Sequence, residues 1–495
     1  MTMRNVFNRR FRRITVIIIS GTIFLFIIVI LFASRKPLSS QDSDLTMGFK
    51  SFADNFDFSY LKNLKPISDS TPQPPPQSLL ESESGTGTKG ITEEEEEDTY
   101  ETKGYQIKRQ DVKFKYINPN GKKGTKQEVQ AQHDELYNKV LTKEIHEPKD
   151  FNIESIRPPS PDMLSKYKHA NATIVALVRN HEFGAIGRTI RKFEKSFNEK
   201  FNYPYTLIND VPFSDKFKDR IQAFTKSPVE FVTIPEELWS KPDSIDVEKQ
   251  TTEMNIMAEH NVAYAKMESY HNMCRFYSGN MFNLPELQKY KYYWRIEPHV
   301  EFYTSINYDI FKYLEGTKKV YGFTISLYDI SETVKTLWTE TLKFLNTGDN
   351  YKYINKNGAF QWLLSDTQLP ENNQIAGGYS TCHFWSNFEI VDMDFLRSEA
   401  YTAWFNHLDS TGKFYYERWG DAPVHSMGLA LFADKSKVHW FRDVGYFHDP
   451  YYNCPKTSHT RGCEPGQFSK WDHLNDQNCM ASWIDYSIDD LDAIY

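Results

Sequence analysis

A few polar side chains in this sequence stand where chemistry could be done. Glu297 follows Tyr292, Tyr293, Trp294 and Ile296, and Pro298 comes next. The aromatic and β-branched run suits a pleated, half-buried strand. Pro298 removes a backbone donor and ends the ladder. A carboxylate is thereby placed where a core strand opens into a loop, the position at which open α/β sheets gather ligands. Glu297 is an oxygen ligand of the kind hard divalent cations take, or else a surface acid at a strand end. Glu389 lies in Phe384-Trp385-Ser386-Asn387-Phe388-Glu389-Ile390, an apolar frame in which burial is costly unless the carboxyl is paired. It reads as a hydrogen-bonding core residue or as a working carboxylate. Asp421, in Trp419-Gly420-Asp421-Ala422-Pro423, begins a predicted helix, and an N-cap role alone would account for it. His448, in the aromatic turn Tyr446-Phe447-His448-Asp449-Pro450, reads as a metal ligand or a base. Arg179 closes the apolar run Thr173–Val178, where it could meet a phosphate or an acidic partner.

The elements that must position these groups follow from periodicity. Thr173–Val178 reads as a buried strand, and Ile186, Ile190, Phe193 and Phe197 then share one helical face. Tyr205–Asn209 and Val229–Thr233 read as strands, with a helix over Ser214–Phe224 between them. This alternation predicts βαβ units and a mostly parallel sheet. Thr251–Met281 reads as helix, Val320–Tyr328 as one further strand, and Asn355–Phe360 as a turn. Neither a G-x-G-x-x-G nor a P-loop fingerprint occurs.

The chain before residue 151 is different in kind. Residues 1–13 carry five Arg and no acid, and Ile14–Ala33 is then uncharged for 20 residues. That is about 30 Å of helix, enough to cross a bilayer core. The segment 14–33 reads as a signal anchor, with 1–13 in the cytosol and the rest in the secretory lumen. Residues 34–150 read as a mostly disordered stem, with a proline run, a Ser/Gly/Thr-rich stretch, six consecutive acids at Glu93–Asp98 and a short helix around Gln127–Thr142. The aromatic-rich chain from 151 to 495 is long enough for a large core. A formal net charge of −8 without a basic stripe argues against nucleic acid as a partner. Five cysteines in an oxidising lumen allow at most two bridges and leave one thiol. Asn171 is the sole Asn-x-Ser/Thr acceptor.

Several longer motifs carry a resemblance. Tyr-Tyr-Trp-Arg-Ile-Glu-Pro at 292–298, Met-Cys-Arg-Phe at 273–276, Asn-Tyr-Asp-Ile-Phe at 307–311, His-Phe-Trp-Ser-Asn-Phe-Glu-Ile at 383–390, Trp-Gly-Asp-Ala-Pro-Val-His at 419–425 and the 446–449 turn occur in one order between Asn171 and Cys454. Together they resemble the fungal Golgi α-1,2-mannosyltransferases, glycosyltransferase family 15. The resemblance implies a GT-A-like, Rossmann-type domain with a central mixed, mostly parallel sheet. It implies GDP-mannose as donor, Mn²⁺ as metal and a mannosylated glycoprotein or oligosaccharide as acceptor. Glu297 and His448 would be the metal ligands. Tyr270, Arg179 and Asp421 would meet the donor, with Tyr270 and Asp421 also at the catalytic centre. Glu389 would be the nucleophile, or would stabilise an oxocarbenium-like transition state, in a reaction that retains the α configuration. His299 and Glu301 are nearby groups of the same chemistry and weaker claim. Thr304 stands where the family commonly has Cys, so one of its disulfides is expected to be missing. The expected product is an α-1,2-linked mannose on N- or O-linked glycans in the Golgi. The rivals are a mannosylphosphate transferase of the same family and a mannan-binding module without catalysis.

Overall fold

The computed structural model describes residues 99–102, 105–108, 126–364 and 370–487. The expected cytoplasmic tail, the anchor 14–33 and most of the stem lie outside the described residues. Among the described residues no helix is long and apolar enough to cross a membrane.

A small antiparallel hairpin, β1 (Thr99–Thr102) and β2 (Tyr105–Lys108), comes first. Helix α1 (Lys126–Leu141) follows, and it is part of the folded body. Tyr137, Val140 and Leu141 are buried, and the Tyr137 ring meets Phe468 edge-on. The Ile145 amide donates to the Lys456 carbonyl at 2.8 Å. The helix expected near 127–142 therefore exists, but the compact body begins before residue 151.

The core sheet starts with β3 (Ala172–Leu177), whose residues are nearly all buried. Helix α2 (Phe183–Ser196) covers it, with Ile186, Ile190 and Phe193 wholly inside. Strand β4 (Tyr205–Asn209) is followed by α3 (Asp215–Gln222), which Ser214 caps by accepting from the Phe217 amide. Strand β5 (Val229–Thr233) completes the first half. The expected long helix over 251–281 is instead interrupted. A helix spans Val247–Glu259, the chain breaks at 260–267, and α4 (Glu268–Arg275) then loosens into a π-helical turn at Phe276–Asn280.

Strand β6 (Tyr292–Arg295) lies at the centre. Short β7 (Glu301–Phe302) and helix α5 (Ile310–Thr317) follow. The single strand expected over 320–328 divides into β8 (Tyr321–Phe323) and β9 (Ser326–Tyr328), and these join different sheets. Strand β10 (Cys382–Phe384) pairs with β9, and β11 (Glu389–Asp392) returns to the core. Helices α6 (Glu399–Ser410) and α7 (Asp421–Phe432), then β12 (Val438–Trp440), β13 (Tyr446–His448), β14 (Tyr451–Asn453) and α8 (Met480–Ser487) finish the chain. Residues 421–431 of α7 are all buried, as a helix apolar on every side requires.

The seven-stranded sheet runs β12-β8-β11-β6-β3-β4-β5. All its neighbours are parallel except β11, which lies antiparallel between β6 and β8. A second sheet, β14-β13-β7, packs Phe302 and Tyr446 against Trp294 of β6 and Phe388 just before β11. Cys382 bridges Cys479, Cys454 bridges Cys463, and buried Cys274 is the leftover thiol.

Candidate active site

The carboxyl ends of β3, β4 and β6 open into one cleft of about 220 Å³. Arg179 reaches it two residues beyond β3, Asn209 and Asp210 from the end of β4, and Glu297 two residues beyond β6. Parallel pairing brings these ends to one side, so the site follows from topology. Tyr270 of α4 and Tyr277 of the π-helical turn form the opposite wall. Tyr270 stacks on Tyr264 with ring centroids 4.6 Å apart, and the Arg418 guanidinium lies 5.3 Å from its ring centre.

His448 comes to Glu297 from the second sheet. Strand β13 pairs with β7, and this brings the imidazole Nε2 within 3.4 Å of the Glu297 Oε2. Both side chains are about a quarter exposed, so they face a space that a third group can enter. Adjacent ligands of an octahedral ion at about 2.1 Å lie roughly 3 Å apart, so the pair fits one small divalent cation. Among the described residues no group of three or more His, Cys, Asp or Glu could hold a metal alone. A cation held by this pair alone would keep coordination positions for other oxygens. Burial would raise the Glu297 carboxyl, but the Arg295 charge and the His448 hydrogen bond outweigh it and hold it at about 2. His299 is exposed with φ +69°, and Glu301 pairs with Lys192, so neither joins this pair.

Asp421 and Glu389 lie behind the cleft rather than in its wall. Arg295 connects them. Its Nε donates to the Glu297 Oε1 at 2.9 Å and its Nη1 to the Asp421 Oδ2 at 2.6 Å. The same Nη1 stands 3.9 Å from the Glu389 Oε1. The guanidinium sits 3.6 Å from the centre of the Tyr277 ring, a cation–π contact in a desolvated place. Asp421 is the first residue of α7, but Gly420 holds the cap position. The Asp421 side chain instead accepts from Arg295 and, at 2.7 Å, from Ser386.

Glu389 has no exposure and uses both oxygens. Oε1 accepts from Tyr293 at 2.7 Å, while Oε2 accepts from Tyr321 at 3.1 Å and lies 2.9 Å from the His425 Nδ1. The other ring nitrogen of His425 faces the Tyr277 carbonyl at 3.0 Å. Both nitrogens thus meet acceptors, which calls for the doubly protonated ring. Burial opposes that charge, but Glu389 outweighs it and lifts His425 above its ordinary range. The sheet register explains the meeting. Glu389 pairs with Arg295 across β11 and β6, so the first residue of the antiparallel strand reaches the edge where parallel strands end.

The sequence reading did not single out Arg295, His425, Tyr293, Tyr321 or Tyr277. Arg295 carried a usable signal, because a guanidinium inside an aromatic strand must find acids. The others depend on pairings between distant segments.

A Rossmann-like sheet with one antiparallel insertion, carrying a carboxylate–imidazole pair at its carboxyl edge, defines a GT-A-type nucleotide-sugar transferase. The family model for glycolipid 2-alpha-mannosyltransferases matches residues 126–488, and the chain belongs to that family. It is similar to the probable mannosyltransferase KTR4 of Saccharomyces cerevisiae, 50% identical over 368 residues, which cover 73% of this chain and 78% of that one. The X-ray structure of Ktr4p from S. cerevisiae in complex with GDP is 47% identical with a TM-score of 0.72, covering 77% of this chain and 96% of that one. The Mn/GDP form of core-mannan synthase A from Aspergillus fumigatus is 45% identical with a TM-score of 0.68, covering 70% and 93%.

Proposed function

We propose that the chain is a retaining α-1,2-mannosyltransferase that moves mannose from GDP-mannose to a mannose hydroxyl of a glycan. The observation that carries this reading is the meeting of Glu297 and His448 at the mouth of a cleft walled by Tyr270 and Arg179. Family membership and the GDP and Mn/GDP forms of two relatives support it. Mn²⁺ fits the Glu297–His448 pair, where it would supply Lewis-acid stabilisation of the departing diphosphate. Arg179 is placed to take a phosphate oxygen, and the Tyr270 and Tyr277 rings to bound the sugar and nucleoside. Arg295 locks Glu297 in the direction a metal ligand needs, while Asp421 and Ser386 fix Arg295 in turn. Glu389 works from behind this shell. A fixed acid in a water-free place stabilises positive charge developing on the sugar ring, and Arg295 and the His425 ion pair hold it there.

The composition of 1–33 supports a Golgi membrane protein anchored through residues 14–33, with its catalytic body in the lumen. The test of the reaction is incubation with GDP-mannose, Mn²⁺ and mannobiose, followed by linkage analysis. An α-1,2-linked trisaccharide is expected. An acid-labile phosphodiester would establish mannosylphosphate transfer instead, and sugar binding without turnover would leave a binding module.

A further inference from the structure

Two neighbouring polar groups in the transfer cleft are left without partners by the fold. Asn209 ends β4 and is 1% exposed, yet its Nδ2 meets no acceptor among the described residues. Its Oδ1 is already engaged, accepting from the Asp210 amide at 3.0 Å. The half-buried Asp210 carboxylate makes no ion pair and no side-chain hydrogen bond among the described residues. Both residues line the cleft. A buried donor without an acceptor is costly, so the amide calls for an acceptor from outside the protein. We propose that Asn209 and Asp210 read the base edge of a guanine nucleotide and so set which nucleotide the donor carries. This rests on the transferase reading above.

The order of strands places a nucleotide in one direction. Strands β6, β3, β4 and β5 are consecutive neighbours and parallel, so their carboxyl ends stand in a row. Glu297 and His448 meet beyond β6, where a metal-bound diphosphate belongs. Arg179 follows β3 and makes no ion pair among the described residues, which leaves its charge for a phosphate. Asn209 and Asp210 come next, at the end of β4. Neighbouring strands lie about 4.8 Å apart, which sets β4 about 10 Å from β6. Like charge keeps the Asp210 carboxylate away from phosphates, so it faces an uncharged part of the nucleotide. Trp239, in the short helical turn after β5, lines the same end of the cleft and offers a ring for a base to stack on.

The pairing of groups selects the base. An ionised carboxylate only accepts, and the free Asn209 hydrogen only donates. Guanine presents two adjacent donors, its N1–H and 2-amino group, and then the acceptor O6. Adenine puts a lone pair at N1 and an amino group where O6 would be, so it opposes both protein groups. Uracil offers a single N–H between two carbonyl oxygens, which leaves one carboxylate oxygen facing another oxygen. A site built to hydrogen-bond a group rejects the analogue that lacks it, because its own polar atoms are then left unpaired.

The test titrates GDP, IDP, ADP and UDP into the intact chain with Mn²⁺ by calorimetry. IDP is the informative probe, since it differs from GDP only by the missing 2-amino group. The wild type should bind GDP most tightly, IDP less so, and ADP and UDP weakest. A hydrogen bond to a charged group changes affinity about ten- to hundredfold. Asp210→Ala should therefore weaken GDP by that factor, weaken IDP less, and bring the two to nearly equal affinity. Asn209→Ala should weaken GDP and IDP alike, about two- to tenfold, because both carry O6. Melting temperatures are measured alongside, and Asp210, which supports no described side-chain contact, should leave the fold unchanged when replaced. Equal loss of all four nucleotides in Asp210→Ala would place the carboxylate on ribose and overturn the inference. A preference for GDP over IDP that survives Asp210→Ala would overturn it too. Failure of the transferase reading would look different: the wild type would show this nucleotide selectivity and transfer no mannose.

Discussion

At the residue scale, the site is a chain of charges in which every member faces an opposite one. Glu297, Asp421 and Glu389 surround Arg295, and His425 balances Glu389 from the far side. Removing one partner of a buried pair leaves an uncompensated charge at a cost of about 3–5 kcal/mol. Glu389→Gln keeps the volume but presents an amide to three donors, so it should lower the melting temperature. Donor affinity should stay near that of the wild type, while turnover per folded molecule falls by about 10²-fold or more. Melting, GDP-mannose titration and turnover on one preparation separate these effects, and near-normal turnover of the folded fraction would show Glu389 to be purely structural. Glu297→Gln and His448→Ala act elsewhere. Each should abolish most of the Mn²⁺ enhancement of GDP binding, read by calorimetry with and without metal. A variant that keeps the wild-type metal enhancement is not missing a ligand.

At the scale of elements, periodicity made the first half of the sheet legible. The runs at 173–178, 205–209 and 229–233 are apolar enough to leave no other reading, and β3, β4 and β5 occupy them within a residue. What failed to show was any feature settled by distant partners. Val320–Tyr328 reads as one apolar-aromatic strand, yet β8 pairs with β11 and β12 while β9 pairs with β10. The 251–281 helix breaks because Asn261 and Tyr264 adopt positive φ, which local pattern does not announce. Helix α1 has a weak amphipathic signal, and only tertiary packing reveals that Tyr137, Val140, Leu141 and Ile145 belong to the core. A chain beginning at residue 151 should therefore be less stable than one beginning at 126 by several kcal/mol, at about 1.5–3 kcal/mol for each buried side chain lost. Denaturant unfolding of the two chains measures the difference, and equal midpoints would detach α1 from the body.

At the scale of the whole molecule, two disulfides differ greatly in what they enclose. Cys382–Cys479 spans 97 residues and fastens α8 beneath the β9–β10 pair, whereas Cys454–Cys463 spans 9. Chain-entropy reasoning gives about 4.7 kcal/mol for the first and about 2.6 kcal/mol for the second. The paired substitution Cys382→Ser with Cys479→Ser should accordingly lower the unfolding midpoint more than Cys454→Ser with Cys463→Ser. The reverse order in denaturant titrations would mean that strain or residual structure dominates.

The antiparallel position of β11 also dictates an order in time. As the chain is made, β3, β4, β5 and β6 can pair as soon as they emerge, and Arg295 then has Glu297 alone among the acids that surround it. Glu389 arrives only when β11 slots in beside β6, Asp421 with α7 after it, and His448 later still. A nascent chain thus carries a partly matched guanidinium until Glu389 and Asp421 arrive. The proposed site is completed only late in synthesis, so a product truncated before β11 has paired strands but no site.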